Sequence, residues 1–248
     1  MSEPKDAAHR DRVLARLTST LPQRVDRPDS VPLDWDDIGL LSHGLVFGNR
    51  TLLQATRAVT ERHSLGPRAV ADDFQLMDMD GRKLDGAGDI TGEYPIHLDI
   101  LRARPDVGCV IHYHGMHSTA FTTSERTLKP IHLMGTLFHD GVPVYPDPRL
   151  VSNRERGRAV ASALGPHRAL LLRAHGAAIT GATIEEAVGG AFLFEENARR
   201  ACLSAQLGEP VFIDDETAAS AGGELLKNRG PFRRVWALVE SDYEEIKP

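Results

Sequence analysis

The segment Gly108-Cys-Val-Ile-His-Tyr-His-Gly115 governs the reading of the whole chain. Val107 to Tyr113 is a short apolar run of the kind that forms a buried strand. Side chains alternate across a strand, so His112 and His114 are expected on one face. Two imidazoles so placed on one rigid element can hold a metal ion, and imidazole suits zinc, manganese and iron. A third ligand is still needed. Ala169-Leu-Leu-Leu-Arg173 is a second buried-strand candidate, and it too runs out into histidine and glycine, at His175-Gly176. A lone His-x-His is commonly just two histidines at a strand end. Two strands that both end in His-Gly favour a shared metal.

The 248 residues suit one large domain with at most an appendage. Hydrophobic residues make up 41% and charged residues 26%, so the chain can fill an ordinary globular core. The formal net charge is −6 with the acidic residues scattered, and no basic stripe suggests nucleic acid. The apolar runs fall well short of a membrane span. The segment Met1-Ser-Glu-Pro-Lys-Asp6 is charged and lacks the apolar stretch of a secretory signal, so a cytoplasmic location is expected. Cys109 and Cys202 cannot make a disulfide framework and read as small apolar filler.

Residues 1–33 carry Pro22, Pro28 and Pro32 and read as an N-terminal arm or linker, leaving 34–248 as the catalytic domain. Apolar positions from Ile38 to Val59 suggest helix between Asp36 and about Arg62, interrupted by Gly44 and Gly48. Phe74 to Met79 alternates and precedes Asp80-Gly81, a hairpin signal. A helix is expected from about Tyr94 to Arg104, stopped by Pro105. Further helices are expected from Gly115 to Phe121 and, more weakly, over Pro130–Phe138, and Val142–Tyr145 reads as an edge strand because it holds a proline. Ser152 is the expected N-cap of a helix running to Leu164. Gly176 to Gly181 looks like a hairpin return. Thr183-Ile-Glu-Glu186 is a capping box for a long helix, with Glu195–Arg199 and Glu196–Arg200 as supporting pairs. A helix from Asp214 to Asn228 and a tail around Trp236 and Tyr243 complete the chain. Interspersed strands and helices predict an α/β fold with a mixed, largely antiparallel sheet flanked by helices.

Glu93, Arg104-Pro-Asp106, His112-x-His114 and His175-Gly176 together resemble the class II aldolase/adducin family, over roughly Asp72 to Leu207. The resemblance implies a single α/β/α sandwich and one divalent metal ion per chain, zinc first, with manganese or iron as alternatives. It makes His112, His114 and His175 the ligands and gives Glu93 the place of the acid/base glutamate. It also implies a homotetramer with sites between subunits. Glu93 to Asp106 and Ile131-His-Leu-Met-Gly135 look like the branch that contains metal-dependent aromatic decarboxylases and oxygenase-like enzymes. In that pattern His132 sits near the metal pocket, as a substrate-binding candidate. The sugar-phosphate aldolases of the family carry a phosphate loop and a serine pair before the glutamate. Here only Gly48-Asn49-Arg50 and Thr91-Gly92 stand in their place, which puts phosphate binding in doubt.

Three neutral imidazoles leave a metal ion with open positions, as a catalytic site requires. A small substrate with adjacent hydroxyl and carbonyl or carboxylate oxygens could chelate there, and Glu93 could move the proton. On residues alone Glu93 is equally a helix-start glutamate favoured by the helix dipole. His97 could orient Glu93 or face solvent, and His117 reads as pocket wall or surface. Tyr113 points away from the ligands, toward the core or a subunit contact. Trp236 and Tyr243 either close a neighbouring subunit's site, with Tyr243 as a second substrate-binding candidate, or pack on their own domain. The expected activity is lyase cleavage of a C–C bond, by decarboxylation or retro-aldol reaction, in a small, non-phosphorylated hydroxy, keto or aromatic acid. The alternatives are a non-haem iron oxygenase acting on an aromatic acid and a non-catalytic adducin-like interaction domain.

Overall fold

The computed structural model describes residues 45–47, 57–61, 74–86 and 88–246, with side chains over 75–86 and 88–239. Among these, eight strands form one sheet: β1 (Leu45–Phe47), β2 (Arg57–Glu61), β3 (Phe74–Asp78), β4 (Lys83–Asp85), β5 (Cys109–Tyr113), β6 (Val144–Tyr145), β7 (Ala169–Leu172) and β8 (Gly176–Gly181). Their order across the sheet is β4-β3-β2-β1-β5-β8-β7-β6. Every pairing is antiparallel except β6 with β7. The sheet is therefore mixed and largely antiparallel, as expected. The helices are α1 (Tyr94–Ala103), α2 (Met116–Thr122), α3 (Arg154–Leu164), α4 (Ile184–Leu207), α5 (Asp215–Asn228) and α6 (Gly230–Ile246), with a 3-10 helix over Leu133–Phe138.

Alternation along the central strands sorts the core into two layers. Cys109, Ile111, Tyr113, Leu171 and Ile179 face one way and pack with Phe194 of α4 and Phe232 of α6. Val110, Leu170, Leu172 and Ala178 face the other way, against Ile96 and Ile100 of α1 and Val160 and Leu164 of α3. A strand buried on both faces reads as continuous apolar sequence. His112 is the polar interruption of that run, and its parity puts it on the α1 side. Tyr113 faces the opposite core and is fully buried.

Local signals explain most boundaries. Pro95 sits in the first turn of α1, where its missing N–H costs nothing. Thr183 caps α4 by accepting from the Glu186 N–H at 3.2 Å, and Glu186 reaches back to the Ala182 N–H at 2.8 Å. Asp214 caps α5 through the Thr217 N–H at 2.9 Å. The cap of α3 is Asn153 rather than the expected Ser152: its side chain accepts from the Arg156 N–H at 3.0 Å. Either residue type can cap, so sequence leaves a one-residue ambiguity.

The helix expected over Asp36–Arg62 is corrected at two places. Leu45–Phe47 is a strand between β2 and β5, and Arg57–Glu61 is a strand between β1 and β3. A three-residue apolar run carries no period of its own, and the open edge of β5 supplies the pairing that decides it. The N-terminal arm and the Gly48-Asn49-Arg50 segment lie outside the described residues. The tail around Trp236 is helical: α6 buries Phe232 and Val235, with Trp236 half-buried. The Tyr243 side chain lies outside the described ones. No helix among the described residues is long and apolar enough to cross a membrane.

His97 joins α1 to the sheet. It is 1% exposed, and its Nδ1–H donates to the Val110 carbonyl oxygen at 3.2 Å. It therefore neither faces solvent nor makes a hydrogen bond to Glu93. Burial pushes its pKa down to about 3 from an ordinary value near 6.5. Below about pH 6.5 the unfolded chain takes up a proton that the folded chain refuses, so stability is lost as pH falls toward 3. Between pH 6.5 and 5 the loss from this group should be about 2 kcal/mol. Urea unfolding at the two pH values, compared with His97→Asn, checks it: the variant should show a shallower decline, and an equal decline would show that His97 is not responsible.

Candidate metal centre

His112, His114, His175 and Glu93 converge from separate elements. Their ligand atoms all lie within 4.8 Å of one another. The imidazole centroids form a near-equilateral set, 5.1 Å for His112–His114 and 4.9 Å for each of the other two pairs. His112 is the penultimate residue of β5, His114 comes directly after the strand's last residue, and His175 sits in the turn that joins β7 to β8. Because β5 and β8 pair, with Tyr113 opposite Ala177, these two ends of the sheet are adjacent.

The glycines after the histidines allow this approach. A Cβ on Gly176 would collide with the Tyr113 carbonyl oxygen and come within 2.9 Å of the His114 ring. A Cβ on Gly115 would collide with the Glu195 carboxylate. His-Gly at both strand ends therefore has a steric reason: Gly176 lets the two ligand-bearing segments close on each other, and Gly115 leaves room for the Glu195 carboxylate.

His112 is prepared as a ligand. Its Nδ1–H donates to the Ala177 carbonyl oxygen at 3.0 Å, which leaves Nε2 with a bare lone pair. That Nε2 is buried without a hydrogen-bond partner, as are both ring nitrogens of His175. Buried polar atoms left without partners are costly unless something else meets them. A divalent ion fits this donor set of imidazole nitrogens and one carboxylate.

Glu93 precedes α1 and is 8% exposed. Its two oxygens face different partners. Oε1 accepts from the Val151 N–H at 3.1 Å, and Oε2 lies 3.4 Å from both His112 Nε2 and His175 Nε2. Burial raises the carboxyl's pKa, but the electrostatic influence of the adjacent His112 and His175 rings outweighs it and holds the group well below the usual carboxylate range. Glu93 is thus kept as an anion, the form suited to a base or a metal neighbour. It caps no helix N–H, so the helix-start reading is not what holds it.

Glu195 was not singled out by sequence beyond a pairing with Arg199, and that pairing is corrected. Glu195 is 2% exposed and accepts from the His117 N–H at 2.7 Å and, more weakly, from the Ser118 N–H. The His117 Nδ1 is 3.2 Å away. A carboxylate on α4 thereby caps α2, whose own N-cap, Gly115, has no side chain to do so. Arg199 instead lies near Glu196, and the expected Glu196–Arg200 pair forms at 3.1 Å. His132 is not brought into the four-residue cluster. Its Nδ1 meets Asn197 Oδ1 at 3.3 Å, in a small network where Asn197 also holds the Ile131 N–H and the Lys129 carbonyl.

A mixed sheet between helices, with three histidines and a glutamate at the strand ends, is the architecture of a class II aldolase-type domain. The chain belongs to this family: the profile of the Class II Aldolase and Adducin N-terminal domain matches residues 44–202. Among solved structures, the chain is similar to an L-fuculose 1-phosphate aldolase, with TM-score 0.67 and 20% identity over 91% of this chain and 98% of that one. An aldolase II superfamily protein from Pseudomonas syringae aligns with TM-score 0.70 and 20% identity, over 97% and 90% of the two chains. At this identity the likeness concerns the fold. In sequence, the chain is 34% identical to a 3,4-dihydroxyphthalate decarboxylase of Arthrobacter keyseri, over 60% of this chain and 64% of that protein. It is also 34% identical to the decarboxylase NovR of Streptomyces niveus, over 53% of this chain and 49% of the relative. The matches thus span less than two thirds of either relative's length.

Proposed function

We propose that the protein is a metal-dependent lyase that removes carbon dioxide from a small, non-phosphorylated aromatic or hydroxy acid. The observation that carries this reading is the pairing of Glu93 Oε2, 3.4 Å from two imidazole nitrogens, with a three-histidine donor set in which His112 is buried and His114 and His175 are half-buried. Similarity to a protein named as a 3,4-dihydroxyphthalate decarboxylase, and to a second named as a decarboxylase, supports the substrate class. The retained donors and carboxylate speak against a purely structural, adducin-like role.

His112, His114 and His175 would hold the ion, zinc first, which when bound supplies Lewis-acid stabilisation of a developing enolate-like oxygen. The chain's own residues do the rest. Glu93 keeps Oε1 on the Val151 N–H and turns Oε2 to the donor face, where it can take the proton of a substrate hydroxyl. When the bond to the carboxyl group breaks, its electron pair stays on the substrate carbon and carbon dioxide leaves. Glu93 then returns the proton to that carbon, so one group serves as base and acid in turn. For the carboxylate, Arg126 drops out, since Glu209 engages it at 3.2 and 3.1 Å. Arg173, exposed and two residues before His175, forms no ion pair among the described residues, and we assign it to the substrate acid.

A second reading keeps the site and changes the chemistry. The chain is 33% identical, over 53% of its length and 48% of the relative's, to a 4-hydroxy-3-prenylphenylpyruvate oxygenase/4-hydroxy-3-prenylbenzoate synthase of Streptomyces roseochromogenus. One experiment separates the two. Purified protein of known metal content is given 3,4-dihydroxyphthalate and hydroxybenzoate-type acids with and without oxygen, and carbon dioxide is measured. Oxygen-independent release is expected, with KM raised about tenfold in Arg173→Gln, the loss of one charge-assisted contact. Oxygen consumption matched to product would favour the oxygenase, and efficient cleavage of fuculose 1-phosphate would show a phosphate site instead.

A further inference from the structure

His112 and His175 are held in different ways. The His112 ring is pinned by its own hydrogen bond to the Ala177 carbonyl oxygen. His175 has no such anchor. Neither of its ring nitrogens has a hydrogen-bond partner, and the 3.4 Å from Nε2 to Glu93 Oε2 is too long to orient a ring. Its direction is therefore set by its backbone.

That backbone is a tight turn, in which the His175 N–H donates to the Leu172 carbonyl oxygen at 3.1 Å. Within it Ala174 has φ 51°, the left-handed region that a residue with a Cβ avoids. Such a conformation persists where its surroundings impose it. The imposing contact comes from α2: the Ala174 N–H donates to Thr122 Oγ1 at 2.8 Å. Thr122 is 3% exposed, and its hydroxyl donates onward to the Thr119 carbonyl oxygen at 2.6 Å. That bond fixes the hydroxyl proton and leaves the oxygen's lone pairs for Ala174.

We infer that Thr122 is a positioning residue for the metal: its hydroxyl holds the Ala174 turn and so aims His175 at the centre. The inference rests on the three-histidine reading of the site. It also gives α2 a purpose. The helix starts directly after His114-Gly115, is held at its first turn by Glu195, and reaches the other ligand's turn with its last residue. One seven-residue helix thus links two ligands that are about sixty positions apart in sequence.

The test is equilibrium metal binding, with Zn2+ or Co2+ titrated against a chromogenic chelator, on wild type, Thr122→Val, Thr122→Ser and His114→Ala. Thr122→Val keeps the shape and removes the hydroxyl. It should weaken metal binding ~10–100-fold, the usual effect of losing a group that orients a ligand, while Thr122→Ser should stay within about threefold of wild type. Unchanged affinity in Thr122→Val overturns the proposal, and so does a Thr122→Ser as weak as the valine variant, since the γ-methyl would then be what matters. If wild type binds no metal, as His114→Ala should not, the reading of the site itself falls and this inference with it. Should Thr122→Val fail to fold, hydrogen exchange of the Ala174 amide in wild type decides: slow exchange supports the bond, and exchange at the rate of an open amide overturns it.

Discussion

Replacing His114 by alanine should strip the protein of its metal and of all turnover while leaving it folded. Apparent binding energies of ~10–16 kcal/mol for four-ligand zinc sites imply roughly 3–4 kcal/mol per ligand. Loss of one imidazole should therefore weaken affinity ~10²–10³-fold, enough for mild chelation to remove the ion. His114 is a fair choice because its removal leaves the rest intact: His112 keeps its bond to Ala177, and Glu93 keeps its bond to Val151. Metal analysis after dialysis, beside a circular dichroism spectrum, is the measurement. A folded His114→Ala that retains one ion per chain would remove His114 from the site and leave the strand-face argument without its main consequence.

Much of the site is legible in the strand itself. Parity along Cys109–Tyr113 assigns each residue to a face without any tertiary information, since a strand's period is two. His112, against α1, and Tyr113, in the opposite core, both land where the alternation puts them. His175 was legible through a different signal, the repeated His-Gly, whose steric cause becomes visible only when Gly176 is seen against Tyr113 and His114. What failed was local pattern without local information. Leu45–Phe47 and Arg57–Glu61 are strands because β5 and β3 offer them partners far along the chain, and three to five residues cannot announce that by periodicity. Glu195 failed for the opposite reason. Its signal was present, four residues after Ala191 in the buried stripe of α4, but an i,i+4 arginine offered an easier explanation on the surface. A carboxylate on the apolar face of a helix asks for a buried donor, and here the donors are the first N–H groups of α2. Thr122 and Ala174 carried no sequence signal at all. Their bond joins a helix end to a turn fifty-two residues away, and only the fold brings them together.

Glu93→Gln should keep the metal and lose most of the catalysis, with kcat falling ~10²–10⁴-fold, the usual worth of a positioned acid/base group. The substitution is nearly isosteric, and with its amide oxygen in the place of Oε1 the side chain still accepts from the Val151 N–H. The change is therefore confined to charge and to the capacity to carry a proton. Three imidazoles suffice to retain the ion, so metal content separates a chemical defect from a binding defect. The carboxylate is held as an anion by His112 and His175 against the opposing effect of burial, and glutamine loses that anion altogether. KM should change little, because a group that acts in the transition state contributes to kcat more than to ground-state binding. Parallel loss of metal would instead make Glu93 a fourth ligand, and a rate within tenfold of wild type would leave it a structural tie between α1 and Val151. Only a large fall in kcat with metal and KM preserved fits a carboxylate that moves the proton.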